Sequence, residues 1–105
     1  MFIAINRLKV KKGRGQELVQ RFEQSHGLSE SPGFLSFQLL QRVWAPHGEG
    51  DHEEFLAMTQ WMSQMHFQDW LKSDAFKHAH ANVRADLFIA PGEPAGYEIV
   101  LEREL

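Results

Sequence analysis

The chain has 105 residues, of which 43% are hydrophobic and 24% charged, and its formal net charge at pH 7 is −3. This length predicts one domain over residues 1–105, and the composition excludes a disordered chain. The acidic balance argues against a nucleic-acid-binding protein, and no apolar run approaches the length of a transmembrane helix. The absence of cysteine excludes a disulfide or a thiolate metal site. Because residues 1–6 are too short an apolar stretch for a signal peptide, we expect a cytoplasmic protein.

The first half of the chain predicts a strand, a helix and a second strand. Residues 2–10 alternate in polarity as a strand does, and Asn6 falls on the same face as the apolar residues. Between positions 16 and about 25, apolar residues recur with the spacing of one helical face. Residues 34–43 predict a second strand that is apolar on both faces near its centre.

The second half predicts two further strands and a helical region in two parts. Residues 54–61 predict the third strand. Two helices follow: one is capped by Ser63 and runs to about position 72, and the other begins at Ser73 or Asp74 and runs to about position 84. Proline and glycine residues predict a loop over 91–96, and residues 97–103 predict the last strand.

The predicted order β-α-β-β-α-β, with the second helical region split, is that of a ferredoxin-like α+β fold. In this arrangement the helices cover one face of an antiparallel sheet. The second strand is nevertheless apolar on both faces, so we expect the other face of the sheet to contact a second subunit. The sequence therefore predicts a homodimer that packs sheet against sheet, as a dimeric α+β barrel.

Two side chains on apolar faces are candidates for a functional site, and each also has an ordinary structural explanation. Asn6 lies on the apolar face of the first strand, where a buried amide without a partner costs roughly 1–3 kcal/mol. The alternative is a core asparagine that is bonded to a backbone group. Trp70 falls on the apolar stripe of its helix, where packing in the core is the usual role of an aromatic residue.

The last predicted helix contains a third candidate, one of its two histidines. Side chains two positions apart on a helix are separated by about 200°, so His78 and His80 cannot bind one metal ion together from a regular helix. His80 shares an apolar stripe with Phe76 and Val83, whereas His78 lies on the polar side beside Lys77. We therefore expect His80 to face the interior, either as a metal ligand or as a core histidine whose hydrogen bonds are satisfied.

One long segment resembles the signature of a known family. The run FQDWLKSDAFKHAH, from Phe67 to His80, is similar to the signature of the IsdG-like haem-degrading monooxygenases, which belong to the antibiotic biosynthesis monooxygenase superfamily. The N-terminal half of that family is matched by four shorter segments, Asn6-Arg7-Leu8, Arg21-Phe22, His26-Gly27 and Pro32-Gly33-Phe34. The resemblance covers most of the chain, and the loops at 45–53 and 86–95 do not match.

The resemblance implies that haem is both the substrate and the oxygen-activating cofactor, held between the helices and one face of the sheet. The family's catalytic asparagine falls on Asn6 and its pocket tryptophan on Trp70. Its axial ligand to the haem iron falls on His80, and Phe22 falls on a position that packs near the porphyrin. Asn6 would then donate a hydrogen bond into the pocket, and Trp70 would distort the macrocycle. His78 departs from the family pattern, in which a small residue is more usual.

The sequence contains no flavin or nicotinamide fingerprint. The resemblance therefore implies dioxygen and an external electron donor such as a reductase, with iron and an opened tetrapyrrole as the products. Two other functions remain open. The first is a cofactor-independent oxygenase of the same superfamily that acts on a quinol or a polyketide. The second is a non-catalytic dimeric module that binds or senses haem.

Overall fold

A computed structural model of the chain describes residues 1–24, 27–48, 50–80 and 85–104. Its strands are β1 (Phe2–Lys11), β2 (Phe34–Gln41), β3 (His52–Trp61) and β4 (Glu93–Glu98). Its helices are α1 (Gly15–Glu23), α2 (Gln64–Leu71) and α3 (Asp74–His80), and single 3₁₀ turns occur at Leu28–Glu30 and Ala85–Leu87. Within the described ranges, none of the helices has both the length and the apolar character needed to cross a membrane.

The strands form one antiparallel sheet in the order β2-β3-β1-β4 across the described part of the chain. The helices pack on a single face of this sheet, over the side chains of β1 and β3. This arrangement confirms the predicted ferredoxin-like α+β fold. On β1, one of the two inner strands, every second side chain is buried beneath the helices, apart from Asn6, which is half-buried. The buried residues of β1 are Phe2, Ala4, Leu8 and Val10.

Helix α1 begins directly after the turn that follows β1. Gly13 has a φ of +85°, a left-handed conformation that favours glycine. The carboxylate of Glu53, on β3, accepts hydrogen bonds from the backbone N–H groups of Gly13 at 2.7 Å and Gly15 at 3.2 Å. Negative charge at a helix N-terminus is favourable, so this contact fixes where α1 starts. The helix ends at Glu23, slightly before the predicted end at position 25, which lies outside the described residues.

Two serines determine where α2 and α3 begin. Ser63 Oγ accepts a hydrogen bond from the backbone N–H three residues later, at 3.3 Å, which confirms the predicted cap of α2. Ser73 Oγ accepts from the N–H of Phe76 at 3.2 Å and donates to the carbonyl of Trp70 at 2.6 Å. Ser73 therefore caps α3 and also ties its first turn to the last turn of α2. The predicted extension of α3 over 81–84 lies outside the described residues.

The last strand lies earlier in the chain than the sequence predicted. The structure has β4 at Glu93–Glu98, paired with β1, whereas the sequence predicted a loop over 91–96 and a strand over 97–103. Residues 99–104 have no regular secondary structure. The prediction is wrong because proline and glycine usually signal turns, whereas Pro94 and Gly96 belong to the strand.

Both of these residues are compatible with β4 for specific reasons. Pro94 cannot donate a backbone hydrogen bond, and β4 is an edge strand, where proline is tolerated. Gly96 lies beneath the ring of Phe2, and a Cβ atom at this position would clash with that ring. The glycine thus allows the buried Phe2 side chain to pack directly on the backbone of the neighbouring strand.

We predict that Gly96→Ala lowers the free energy of unfolding by about 1–3 kcal/mol, the usual cost of an overpacked site. The added methyl group would have to displace the Phe2 ring from the core. Urea unfolding followed by tryptophan fluorescence measures this change. The control is Gln20→Ala, at an exposed position of α1, which should change stability by less than about 0.5 kcal/mol. Equal stability of Gly96→Ala and wild type would contradict the packing of Phe2 on β4.

Candidate functional site

The core beneath the helices is divided into two clusters. The α1 cluster contains Leu8, Val10, Leu18, Phe55 and Leu87. The α2 cluster contains Phe2, Ala4 and Trp61. On β1, the residue of this face that separates the two clusters is Asn6, whose neighbours across the sheet are Ala57 on β3 and Pro94 on β4. On β1, the centre of the sheet under the helices therefore carries a polar side chain flanked by an alanine and a proline.

The carbonyl oxygen of the Asn6 side chain is unpaired within the described part of the chain. This atom, Oδ1, is also buried. Leaving a buried acceptor unpaired costs roughly 1–3 kcal/mol. The ordinary explanation for this residue, a core asparagine bonded to a backbone group, therefore does not hold within the described ranges. The amide is placed where a bound ligand could pair with it.

Trp70 lies on the α2 cluster and also has an unpaired polar atom. Its ring is 5.8 Å from that of Trp61 and 4.8 Å from that of Phe76, measured between centroids. The indole N–H of Trp61 donates to Thr59 Oγ1 at 2.8 Å. Trp70 Nε1, by contrast, is buried without a partner in the described part of the chain. Buried polar atoms are nearly always hydrogen-bonded, so core packing alone does not account for Trp70.

The side chain of His80 is exposed, so the prediction that it faces the interior is wrong. The physical reason is that α3 packs on α2 through the contact of Phe76 with Trp70. The inner side of α3 therefore faces the aromatic side chains of α2 rather than the sheet. The imidazole ring still lies on this inner side. Its centroid is 4.1 Å from that of Phe76 and 6.3 Å from that of Trp70.

A backbone hydrogen bond determines which nitrogen of His80 is available to a ligand. Nδ1 lies 2.9 Å from the carbonyl oxygen of Phe76. Because a carbonyl can only accept, Nδ1 carries the proton and donates it, which leaves the lone pair of the neutral ring on Nε2. A histidine that binds a metal usually donates its other ring N–H in this way. The geometry thus prepares Nε2 of His80 as a ligand atom.

His80 would be a single ligand. Among the described residues there is no group of three histidine or acidic side chains that could hold a metal ion. A metal bound through His80 would therefore have to bring its other ligands with it. A metal held in a macrocycle meets this requirement, because the macrocycle supplies the remaining donor atoms.

Phe22 lies on the other side of the core division. It is stacked on Phe37 of β2, with centroids 5.3 Å apart and planes at 29°, and it packs against the α1 cluster. The structure therefore distributes the predicted site residues over three places. Phe22 packs against the α1 cluster, Trp70 and His80 lie on the α2 side, and Asn6 is on the strand between them.

Arg14 connects two elements that border this region, and no signal in the sequence marks it. It donates a hydrogen bond to Glu17 of α1 at 2.6 Å. It also donates one, at 3.4 Å, to the carboxylate of Asp86, which lies in the 3₁₀ turn before β4. The hydrogen bond from Arg14 to Glu17 is the main reason why the pKa of the guanidinium is raised above its ordinary value. Residues 14 and 86 are paired only by tertiary folding, so spacing along the chain could not predict the contact.

The fold and these side chains define a small α+β protein with a candidate ligand site between its sheet and its helices. Residues 1–82 match the family described as antibiotic biosynthesis monooxygenase. The haem oxygenase (staphylobilin-producing) 1 of Staphylococcus aureus is 38% identical over 84 residues, which cover 80% of this chain and 75% of that protein. The chain belongs to the antibiotic biosynthesis monooxygenase family, and the predicted family is thereby confirmed.

Solved structures of similar proteins have the same fold. The haem-degrader MhuD from Mycobacterium tuberculosis, with two haems bound in its active site, is 34% identical with a TM-score of 0.77, and the match covers 99% of this chain and 100% of that one. SnoaB, a cofactor-independent oxygenase from Streptomyces nogalater, is 20% identical with a TM-score of 0.73, over 96% and 94% of the two chains. The similarity to SnoaB shows the fold alone.

Proposed function

We propose that the protein is a haem-degrading monooxygenase, in which haem is both the substrate and the oxygen-activating group. The observation on which the proposal depends is the buried Oδ1 atom of Asn6, which has no partner among the described residues and lies between the two core clusters, with Trp70 and His80 on one side of it. The relatives support haem as the substrate. The Staphylococcus aureus protein is named a haem oxygenase, and MhuD is named a haem-degrader.

The residues around the division of the core have the chemistry that haem requires. Haem is flat and largely apolar, and its iron needs an axial ligand from the protein. His80 would supply this ligand through Nε2, while Nδ1 stays bonded to the Phe76 carbonyl. The aromatic rings of Trp70 and Phe22 suit contact with the faces and edges of a porphyrin.

Asn6 and Trp70 have different roles in the proposed reaction. Asn6 would donate a side-chain hydrogen bond from the sheet towards the bound haem. Trp70 presses on the macrocycle, and distortion of the ring is one of the means by which a protein alters haem reactivity. An external electron donor such as a reductase supplies the electrons that dioxygen consumes, and the ring opens with release of iron.

We predict that the protein binds haemin with a saturable shift of the Soret band, and that His80→Ala weakens this binding by on the order of 100-fold or more. Loss of the group that hydrogen-bonds a metal ligand already costs about 10–100-fold in metal affinity, so loss of the ligand itself should cost at least as much. Titration of the Soret band measures the affinity. His78→Ala, two residues away on the same helix, is the matched control and should bind haemin as wild type does.

An equal loss of affinity in the His78 and His80 variants would contradict axial ligation by His80. So would a His80→Ala protein that keeps the wild-type spectrum and affinity. In either case the iron ligand would have to be sought elsewhere in the chain.

We predict that, with a reductant and dioxygen, the Soret band of the haem complex decays in wild type and decays about 100-fold more slowly in Asn6→Ala. This is the usual cost of removing one positioned hydrogen-bond donor from an active site. Haem affinity should be nearly unchanged, since Asn6 is not a ligand of the iron. Absorbance decay gives the rate, and mass spectrometry of the products identifies the opened ring.

The other two functions predict different experimental outcomes. A wild-type complex that binds haem and never degrades it would be a carrier or a sensor. Oxygen uptake with a quinol in metal-free buffer, without any haem, would instead indicate a cofactor-independent oxygenase. Either result would overturn the proposed function.

We also propose that two copies of the chain pack through the sheet face opposite the helices. Apolar residues lie along the centre of this open face: Ile3, Ile5, Leu40, Leu56, Met58 and Tyr97. Leu40 is 41% exposed and Tyr97 is 54% exposed. A groove of about 410 Å³ runs between Ile5, Leu56 and Tyr97 on the same face. Contiguous apolar surface of this kind on a small protein is typical of an interface.

We predict that wild type sediments as a dimer at micromolar concentration and that Leu40→Glu sediments as a monomer. The substitution places a charge on the open face without removing a buried core residue, because Leu40 is exposed in the single chain. Met65→Glu is the control, since Met65 is 70% exposed on α2, on the helix side of the sheet, and it should leave the dimer intact. A wild-type monomer would contradict the proposed interface.

A further inference from the structure

The pairing between β1 and the C-terminal part of the chain contains a bulge. Arg7 pairs with Glu93, and three residues further along β1, Val10 pairs with Phe88. The two residues of β1 inside this interval therefore stand opposite the four residues 89–92. A bulge releases its extra residues from the ladder and lets them turn towards one face of the sheet.

The last residue of this bulge, Gly92, lies against the side chain of Asn6. A Cβ atom at Gly92 would be 2.7 Å from Oδ1 of Asn6, 3.1 Å from Nδ2 and 3.2 Å from Cγ. Its three nearest neighbours would thus all be atoms of the Asn6 amide group. A methyl group cannot occupy that space unless the amide moves.

The backbone of Gly92 would itself accept another residue. Gly92 is not among the glycines with positive φ, so its φ angle does not require glycine. The requirement for glycine therefore comes from contact with Asn6 rather than from backbone strain. This separation makes Gly92→Ala a clean means of displacing the amide.

No hydrogen bond in the described structure holds the Asn6 amide. Its Oδ1 makes no hydrogen bond there, and the second dihedral angle of an asparagine side chain is intrinsically broad. We propose that Gly92 is a positioning residue: the backbone of the bulge packs against the Asn6 amide and holds it in the orientation from which it donates into the pocket. This inference rests on the proposed role of Asn6 in haem degradation.

The test is a double-variant cycle of Gly92→Ala and Asn6→Ala. We expect Gly92→Ala to bind haemin with wild-type affinity and Soret maximum, and to degrade it at saturating reductant on the order of 10–100-fold more slowly. A displacement of about 1 Å in a positioned group can lower a rate by about 100-fold. In the double variant, Gly92→Ala should add less than about a twofold effect to that of Asn6→Ala, because no amide remains to be displaced.

Thermal unfolding of the four proteins without haem gives a second readout. Gly92→Ala should lower Tm relative to wild type, and the same substitution should lower it less in the Asn6→Ala background, where the shortened side chain leaves room for the methyl group. If Gly92→Ala alone does not fold, recovery of folding in the double variant supports the contact equally well. An equal fall of Tm in both backgrounds would overturn the inference.

The rates distinguish failure of this inference from failure of the proposed function. If Asn6→Ala degrades haem as fast as wild type, the role of Asn6 in the proposed function is wrong. If Asn6→Ala is slow and Gly92→Ala is as fast as wild type, the proposed function stands and the positioning role of Gly92 is wrong. A slowing by Gly92→Ala of the same size in both backgrounds would also overturn the inference, since Gly92 would then act independently of Asn6.

Discussion

The candidate site depends on one polar side chain, that of Asn6, in the middle of strand β1. Apolar side chains cannot cover an amide without a desolvation cost, roughly 1–3 kcal/mol when the group has no partner. The core is accordingly divided at Asn6, with Ala4 on one side and Leu8 on the other belonging to separate clusters. An apolar residue at this position would suit a continuous core. The asparagine instead places a polar group at the one helix-facing position of β1 that is not filled by a buried apolar side chain.

Because the core is divided, burial of the sheet face opposite the helices becomes important for stability. A domain of this size buries a limited fraction of its surface, and a core in two parts gains less from burial than a continuous one. The open face carries apolar side chains on all four strands, such as Leu40, Leu56, Ile5 and Tyr97. In the proposed dimer, burial of this face offsets the stability that the divided core does not provide. The helix side is then free to hold a ligand.

Local chemistry predicted much of the fold, and tertiary contacts account for what it could not predict. The alternation in β1 and the caps at Ser63 and Ser73 were visible in the sequence because each depends on neighbouring residues alone. The start of β4 was not visible in the sequence, because proline and glycine usually indicate a turn. Here Pro94 is tolerated in an edge strand, and Gly96 makes room for the ring of Phe2. Among the site residues, the strand pattern placed Asn6 on the helix side, but the contact with Gly92 across a bulge left no signal in the sequence.

The exposure of His80 shows the limit of an argument from one helical face. Such an argument gives the side of a helix on which a residue lies, and it correctly grouped His80 with Phe76. It does not give what that side packs against, which here is Trp70 rather than the sheet. Exposure is nevertheless compatible with ligation, because a ring with both nitrogens buried and bonded could not accept an incoming metal. Within the described ranges His80 is bonded only through Nδ1, so Nε2 keeps the lone pair that an iron ligand requires.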